Sequence, residues 1–350
     1  MNILIVKLSA VGDVVHTLPA LNALRRHYPR ARITWLVEEA ASGIVQGHRA
    51  LDRVIISRRK KWVKGFRKGS WLGQFREISR FIRKLRDTRY DLIIDFQALL
   101  KSAVLIRLAR GRRKIGFDRG MEHMEYSYLF LNERIAPVDM NIHALCRGML
   151  LLKAIGVEPG DIEYHLPVSD TDRSKLNASL AARGIDPAGR LIAINPVAKW
   201  DTKLWSGQKF AALADRIGER STAALVFTGS RGDRKTIENI ISRMQCDAVN
   251  LAGETSLNML AAVYEKAEFV VSTDTGPAHI AAATGTPVVA LFGPTAPWRT
   301  GPFGPAHQII RTGKECSPCF KRDCPTRECM EKITVTDVLE GIEKLDRRRL

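Results

Sequence analysis

The run Ser272-Thr273-Asp274-Thr275-Gly276-Pro277-Ala278-His279 follows the apolar stretch Phe269-Val270-Val271. It reads as a strand that stops at a short polar turn and passes straight into a helix. Pro277 suits the first helical turn, where a missing N–H costs nothing. The amides of Thr275 and Gly276 then point outward at the positive end of a helix dipole, a receptor for phosphate. Near the N-terminus, Gly12 and Asp13 lie between an apolar run over residues 2–8 and a helical pattern. A carboxylate at such a turn can take a proton from a substrate hydroxyl, or it can simply cap the helix. His16 and Thr17 follow on the first helical turn, where a histidine is expected to be exposed.

Two further turns carry polar groups. Asn195-Pro196 ends an apolar run, and the loop after it holds Lys199, Trp200, Lys203 and Trp205. Lys203 can neutralise a phosphate as a point charge, or be an ordinary surface lysine. Thr228-Gly229-Ser230-Arg231-Gly232-Asp233 closes the next strand, and its glycines let backbone approach a ligand closely. Asp233 there can accept from ribose hydroxyls or cap a helix. No G-x-G-x-x-G follows the first strand and no P-loop pattern is present, which weakens a nicotinamide-dependent dehydrogenase. Cys316, Cys319, Cys324 and Cys329 give C-x-x-C-x-x-x-x-C-x-x-x-x-C. The first pair suits a zinc half-site, but the later two are spaced too widely for a second hook. Reduced thiols packed in a C-terminal lobe are the expectation over a structural metal.

The elements that must position these residues alternate along the chain. Apolar strands are expected over residues 2–8, 32–37, 54–57, 92–96 and 114–117, with helices to about 27, over 75–86 and over 142–155. Turn formers at 156–161 and 187–189 bracket an interdomain link. Alternation then restarts, with strands over 191–195, 224–228, 249–251, 269–273 and 287–292. Strands rich in Val, Ile and Leu between helices indicate parallel sheets covered on both faces. Two such halves imply a cleft, and ligands gather outside the carboxyl ends of strands.

A chain of 350 residues accommodates two domains. No apolar run is long enough to span a bilayer. Met1-Asn2-Ile3-Leu4-Ile5-Val6-Lys7 reads as a first strand rather than a signal peptide, so the expected compartment is the cytosol. The net charge is +18 and is unevenly spread. Residues 53–89 hold 14 Lys or Arg against two acids, Glu77 and Asp87, with Trp62, Phe66, Trp71, Phe75 and Phe81 interleaved. Such a segment suits an anionic membrane surface or a phosphorylated ligand. Charge alone also suits nucleic acid, but no recognition-helix or RNA-binding motif accompanies it, so none is expected as a partner.

Taken together, these residues resemble the lipopolysaccharide heptosyltransferases. The resemblance is carried by Lys7-Leu8-Ser9-Ala10-Val11-Gly12-Asp13-Val14-Val15-His16-Thr17-Leu18-Pro19-Ala20-Leu21, by Trp35-Leu36-Val37-Glu38-Glu39, by residues 272–279 and by Phe292-Gly293-Pro294-Thr295. It covers nearly the whole chain, and G-D-V-V-H-T-L-P with V-E-E is more like the heptosyltransferase I branch than the II branch. The resemblance implies an α/β fold of GT-B type, two Rossmann-like domains with parallel sheets facing across a cleft. An N-terminal acceptor domain over 1–165, a C-terminal donor domain over 185–330 and a last helix in 331–350 packing back on the first domain are its expected parts.

It further implies inverting, metal-independent transfer of L-glycero-D-manno-heptose from ADP-heptose to a Kdo residue of lipid A, with no cofactor. The implied place is the inner face of the inner membrane, whose anionic surface is a partner. Asp13 matches the family's general base. Lys203, Asp233, Asp274, Thr275, Gly276 and His279 match donor contacts. Gly12, Arg58, Arg59, Lys61 and Lys101 are the expected acceptor contacts. Val197, Ala198 and Lys199 stand where some relatives place hydroxyl side chains against phosphate. Competing readings are a heptosyltransferase II, a related glycosyltransferase using another nucleotide sugar, and a non-enzymatic nucleotide-sugar or nucleic-acid-binding protein.

Overall fold

A computed structural model describes residues 1–121 and 125–346. The chain divides into two compact units, Met1–Pro167 and Val168–Leu350. The first unit carries β1 (Asn2–Val6), α1 (Val11–His27), β2 (Arg32–Glu38), β3 (Arg53–Ser57), α2 (Arg59–Arg67), α3 (Trp71–Arg86), β4 (Arg89–Asp95), α4 (Leu100–Leu108), β5 (Arg110–Phe117), β6 (Glu133–Ile135) and α5 (Ala144–Lys153). Its six strands form one sheet in the order β3-β2-β1-β4-β5-β6, and each adjacent pair is parallel. Chain direction across this sheet reverses between β1 and β4, so the loops after those two strands diverge and leave a crevice.

The second unit repeats the plan. It carries α6 (Asp170–Ala181), β7 (Leu191–Asn195), α7 (Gly207–Gly218), β8 (Ala224–Phe227), α8 (Arg234–Ile241), β9 (Ala248–Asn250), α9 (Leu257–Lys266), β10 (Ala267–Thr273), α10 (Gly276–Ala283), β11 (Val288–Leu291) and β12 (Gln308–Ile310). The sheet order is β12-β11-β10-β7-β8-β9, again all parallel, with its switch point between β7 and β10. Central strands such as Leu191-Ile192-Ala193-Ile194 are buried on both faces, which explains their unbroken apolar runs.

Two boundaries differ from the sequence reading. Helix α6 falls where the interdomain link was expected and belongs to the second unit. Ser169 starts it with a capping box, accepting from the Asp172 N–H while Asp172 accepts from Ser169. The last helix, Val335–Asp346, was expected to pack back on the first domain. Its apolar residues Val338, Ile342 and Leu345 are buried with Phe210, Ile217 and Val289 in the core of the second unit. The sequence supplies an apolar stripe but no address for it. The final four residues of the expected 331–350 segment lie outside the described residues. Among the described residues, no helix is long and apolar enough to cross a membrane.

Candidate active site

In the first unit, β1 runs into a loop that ends at Ala10, the cap of α1. Asp13 sits at the third helical position, and its Oδ2 accepts the Ala10 N–H at 2.8 Å. This is the reach-back half of a capping box, so the capping role is real. Among the described residues, no donor meets the second oxygen of that carboxylate. Asp13 also lines a cavity of about 210 Å³ together with Lys7, His16, Gln97, Met121, Met140 and Arg147. Asp13 thus caps the helix through one oxygen and lines the cavity with the same side chain.

The loop before Asp13 is fixed from β4. Gln97 Oε1 accepts the N–H groups of both Leu8 (2.9 Å) and Ser9 (3.0 Å). Gln97 is held in turn by Asp95, whose Oδ1 accepts from the Gln97 and Ala98 amides at 3.0 and 3.1 Å. Asp95 Oδ2 accepts from the Ser102 hydroxyl at 3.2 Å. Burial pushes the Asp95 carboxyl up to about 6, against the pull of those donors. Ala98 is in the left-handed region at φ 55°, a conformation costing a non-glycine residue roughly 1–2 kcal/mol. Strain of this kind persists where surrounding bonds impose it, as Asp95 does here.

Positive charge surrounds the same crevice. Lys7 Nζ donates to the Phe96 carbonyl at 2.9 Å. Arg147, on α5, donates to the Met140 and Ile142 carbonyls at 2.9 and 2.5 Å, which fixes the loop that carries Met140. Lys101 donates to the Ser9 hydroxyl and stands 3.6 Å from the Glu38 carboxylate. Burial draws the Lys101 ammonium below the usual lysine range, although Glu38 opposes the shift. His16 is buried rather than exposed, its ring edge-on to His143 at 4.9 Å, because α5 covers this turn of α1.

In the second unit a cavity of about 640 Å³ opens at the carboxyl ends of β7, β8 and β10. Asn195, Val197, Ser230, Asp233, Thr255, Ser256, Leu260, Thr275 and Pro277 line it. Three helical N-termini converge on that space: α9 capped by Ser256, α10 capped by Thr275, and a 3-10 turn capped by Ser230. Such ends present positive potential and donor amides to an anion. Leu257, Leu260 and Pro277 supply apolar walls for a flat group. Asn195 forms the floor, donating through Nδ2 to the Thr228 carbonyl at 3.0 Å.

Beside this cavity lies a partly buried ion pair. Asp274 Oδ2 accepts from Lys203 Nζ at 2.6 Å and from the Thr295 hydroxyl at 2.5 Å. The Lys203 ammonium also stands 4.6 Å from the centre of the Trp200 ring, a cation–π contact. Trp200 thus does what a tryptophan in a polar loop must do, which is to find a partner for its face.

The family model for glycosyltransferase family 9 (heptosyltransferase) matches residues 78–330. This chain belongs to glycosyltransferase family 9. It is 34% identical to the lipopolysaccharide heptosyltransferase 1 of Pseudomonas aeruginosa, over 94% of this chain and 89% of that protein. Among solved structures, the E. coli heptosyltransferase WaaC with ADP matches at TM-score 0.80 and 27% identity, covering 99% of this chain and all of that one. WaaC with ADP-2-deoxy-2-fluoro heptose matches at TM-score 0.77 and 27% identity, covering 98% and 99%. The fold is the GT-B type of these heptosyltransferases, and the chain is a glycosyltransferase.

Within this family member, the residues singled out from sequence fall into distinct settings. Asp13 lines the first cavity, with Gly12 buried beside it. Asp233 and Thr275 line the second cavity, and Gly276 follows on its rim. Asp233 is also a turn cap, its Oδ2 accepting the Ser230 N–H at 2.8 Å and the Ser230 hydroxyl at 2.5 Å. Asp274 is buried under Lys203 and Thr295 and does not line the cavity, and His279 is buried within α10. Arg59 meets Lys101 at Glu38, with Arg59 3.2 Å from that carboxylate. Arg58 pairs with Glu39 at 2.8 Å and Lys61 lies 3.7 Å from Glu77. Lys7, Gln97, Arg147 and Thr295 were not singled out for the site. Lys7 and Thr295 lie in stretches that carry the resemblance, whereas Gln97 and Arg147 reach the site from stretches that carried no signal.

The cysteines of 316–329 are all free thiols. Cys329 is buried in the second unit's core next to Met330, and Cys316 is exposed. Among the described residues, no group of three or more His, Cys, Asp or Glu is placed to hold a metal ion.

Proposed function

We propose that the chain moves L-glycero-D-manno-heptose from ADP-heptose to a Kdo residue of lipid A, with inversion, in the inner core of lipopolysaccharide. The observation that carries the reading is Asp13: a carboxylate with one oxygen engaged by Ala10, lining a cavity that Lys7 and Arg147 also line. The relative WaaC has been solved with ADP and with ADP-2-deoxy-2-fluoro heptose, which supports the donor. The three helix ends around the second cavity support a diphosphate there without demanding a metal.

In this reading Asp13 takes the proton from an acceptor hydroxyl as its oxygen attacks the anomeric carbon. The bond to the diphosphate oxygen breaks on the opposite face and ADP departs. Negative charge accumulates on that leaving group, and the Thr275 and Gly276 amides with Lys203 stabilise it; one such donor is typically worth about 10²–10³ in rate. Lys7, Lys101, Arg58, Arg59 and Lys61 offer positive charge to an acceptor that is itself anionic and resides at the anionic inner-membrane surface.

The test is direct. Purified protein, ADP-heptose and Kdo–lipid A are mixed, and the product is weighed for one added heptose. Asp13→Ala is expected to abolish that increment while ADP-heptose still binds. Full turnover by the variant removes Asp13 from the base role, and no increment with the wild type overturns the assigned reaction.

A further inference from the structure

Helices α2 and α3 meet in a tight reversal. Helix α2 closes with a Schellman motif: the Gly69 N–H donates to the Phe66 carbonyl and the Ser70 N–H to the Gly65 carbonyl, both at 3.1 Å. Gly69 takes φ 78°, which only glycine adopts freely. At Gly65 an added Cβ would lie 2.4 Å from Gln74, so the helices touch there. The inner faces are fully used, with Trp62, Phe81 and Leu85 buried in the unit's core and Trp62 Nε1 donating to Glu77 at 3.1 Å.

The outer tip of the reversal is apolar and bare. Trp71, Leu72 and Phe75 are 59%, 80% and 57% exposed. They are not loose: the Phe66 ring meets Trp71 edge-on at 5.7 Å and Phe75 at 5.3 Å. Around them stand Lys64, Arg67, Lys68 and Arg76, all exposed, and residues 64–76 contain no acid. A contiguous apolar patch rimmed by charge marks an interaction surface, and the uniform sign of that charge selects the partner. A second copy of this chain would bring like charge against like.

We propose that this tip is a wedge that docks the protein on an anionic lipid bilayer. Trp71, Leu72 and Phe75 enter the boundary between headgroups and acyl chains, while the four cations lie among the lipid phosphates. Rings suit that boundary and long basic side chains reach out of it. Each cation near such a surface strengthens partitioning about fivefold. The wedge gives a definite residue basis to the membrane placement in the proposed function, and its readout needs no turnover, so either can fail while the other stands.

The full chain is sedimented with vesicles of phosphatidylglycerol and phosphatidylcholine in equal parts, and with phosphatidylcholine alone. Wild type is expected to pellet with the mixed vesicles only, less so as salt rises. The triple variant Trp71→Ser, Leu72→Ser, Phe75→Ser is expected to partition roughly ten- to a hundredfold less, from the lost apolar area, at an unchanged unfolding midpoint. Trp71→Phe is expected to keep the binding while losing the fluorescence quenching that lipids brominated high in the acyl chain cause. Vesicle binding that the triple variant retains, or quenching that survives Trp71→Phe, overturns the wedge. So does a single-stranded RNA oligonucleotide that displaces the protein from the vesicles.

Discussion

The pair Lys203–Asp274 offers the sharpest quantitative test. Asp274 is 5% exposed and has two donors, the Lys203 ammonium at 2.6 Å and the Thr295 hydroxyl at 2.5 Å. Lys203→Met keeps the aliphatic stem against Trp200 and removes the charge. The Asp274 carboxylate is then left buried with one neutral partner. Removing one member of a buried pair costs about 3–5 kcal/mol. Thr295 and the partial exposure of Lys203 moderate that, so about 2–3 kcal/mol is expected, a fall of roughly 5–10 °C in the unfolding midpoint for a domain of this size. Asp274→Asn leaves an ammonium facing an amide oxygen and costs less. In the double variant neither charge is orphaned, so the two losses must fail to add, with a coupling of at least about 1 kcal/mol.

The same variants separate position from charge in function. Lys203→Met removes a cation from the leaving diphosphate, and kcat is expected to fall about 10²–10³-fold. Asp274→Asn keeps the cation but frees its position, so a smaller loss of rate is expected, with weaker ADP binding by titration calorimetry. Thermal unfolding of the wild type, both single variants and the double variant gives the coupling. Strictly additive midpoints refute the buried pair, and unchanged ADP affinity in Lys203→Met detaches this lysine from the donor.

Two further expectations concern the first unit. Gln97→Ala orphans the Leu8 and Ser9 amides, which costs about 1–3 kcal/mol and loosens the loop before Asp13; kcat should drop up to about a hundredfold with donor KM unchanged, and an unaltered kcat would show that Gln97 does not hold Asp13 in place. Asp95 has its folded pKa raised to about 6, so between about pH 4 and pH 6 the folded chain holds the proton that the unfolded chain has released, and stability falls as pH rises through that window by about 3 kcal/mol. Asp95→Asn mimics the protonated form, since its oxygen can accept from the Gln97 and Ala98 amides and its NH₂ can donate to Ser102; denaturant unfolding should show it more stable than wild type near pH 7 and equal near pH 4, and a parallel pH profile for the two proteins would count against the buried carboxyl.

What the sequence disclosed and what it withheld divide along a physical line. Asp13 and the Thr275–Gly276 turn are local features, each a strand end followed at once by a helix start, and patterns of that kind survive without tertiary context. The alternation of apolar runs did the same for five strands of each sheet, while the three-residue edge strands β6 and β12 were too short to show a pattern. Gln97 and Arg147 act through contacts made only when distant strands and helices meet, and nothing in their own neighbourhoods marks them; Thr295 lies in a stretch that carries the resemblance, but its bond to Asp274 is seen only in the fold. Asp95 reads as the polar end of a strand until its complete burial is seen. Helix α2 was hidden because only Trp62 of its nine residues is buried, too little for an apolar period to emerge. The last helix was expected from the resemblance, and the structure shows its apolar residues Val338, Ile342 and Leu345 in the second unit's core.

The cations singled out for acceptor and donor are not equivalent, and their partners show why. Arg58 with Glu39 and Lys61 with Glu77 are well-exposed pairs, worth about 0–1 kcal/mol each and easily screened. A ligand anion can take such a cation at almost no cost, because water already competes for it. Lys203 is different, since its carboxylate partner is only 6% exposed and cannot be left alone. On the proposed function, Lys203 therefore serves the leaving diphosphate without releasing Asp274, and so acts at a fixed point. Arg59 and Lys101 share the buried Glu38 carboxylate and stand between these cases. Binding that depends on the outer cations should weaken steeply with salt, while the rate contribution of Lys203 should hardly change. On the proposed function, the exposed charges then gather the anionic partner, and the buried pair holds one charge at the leaving group.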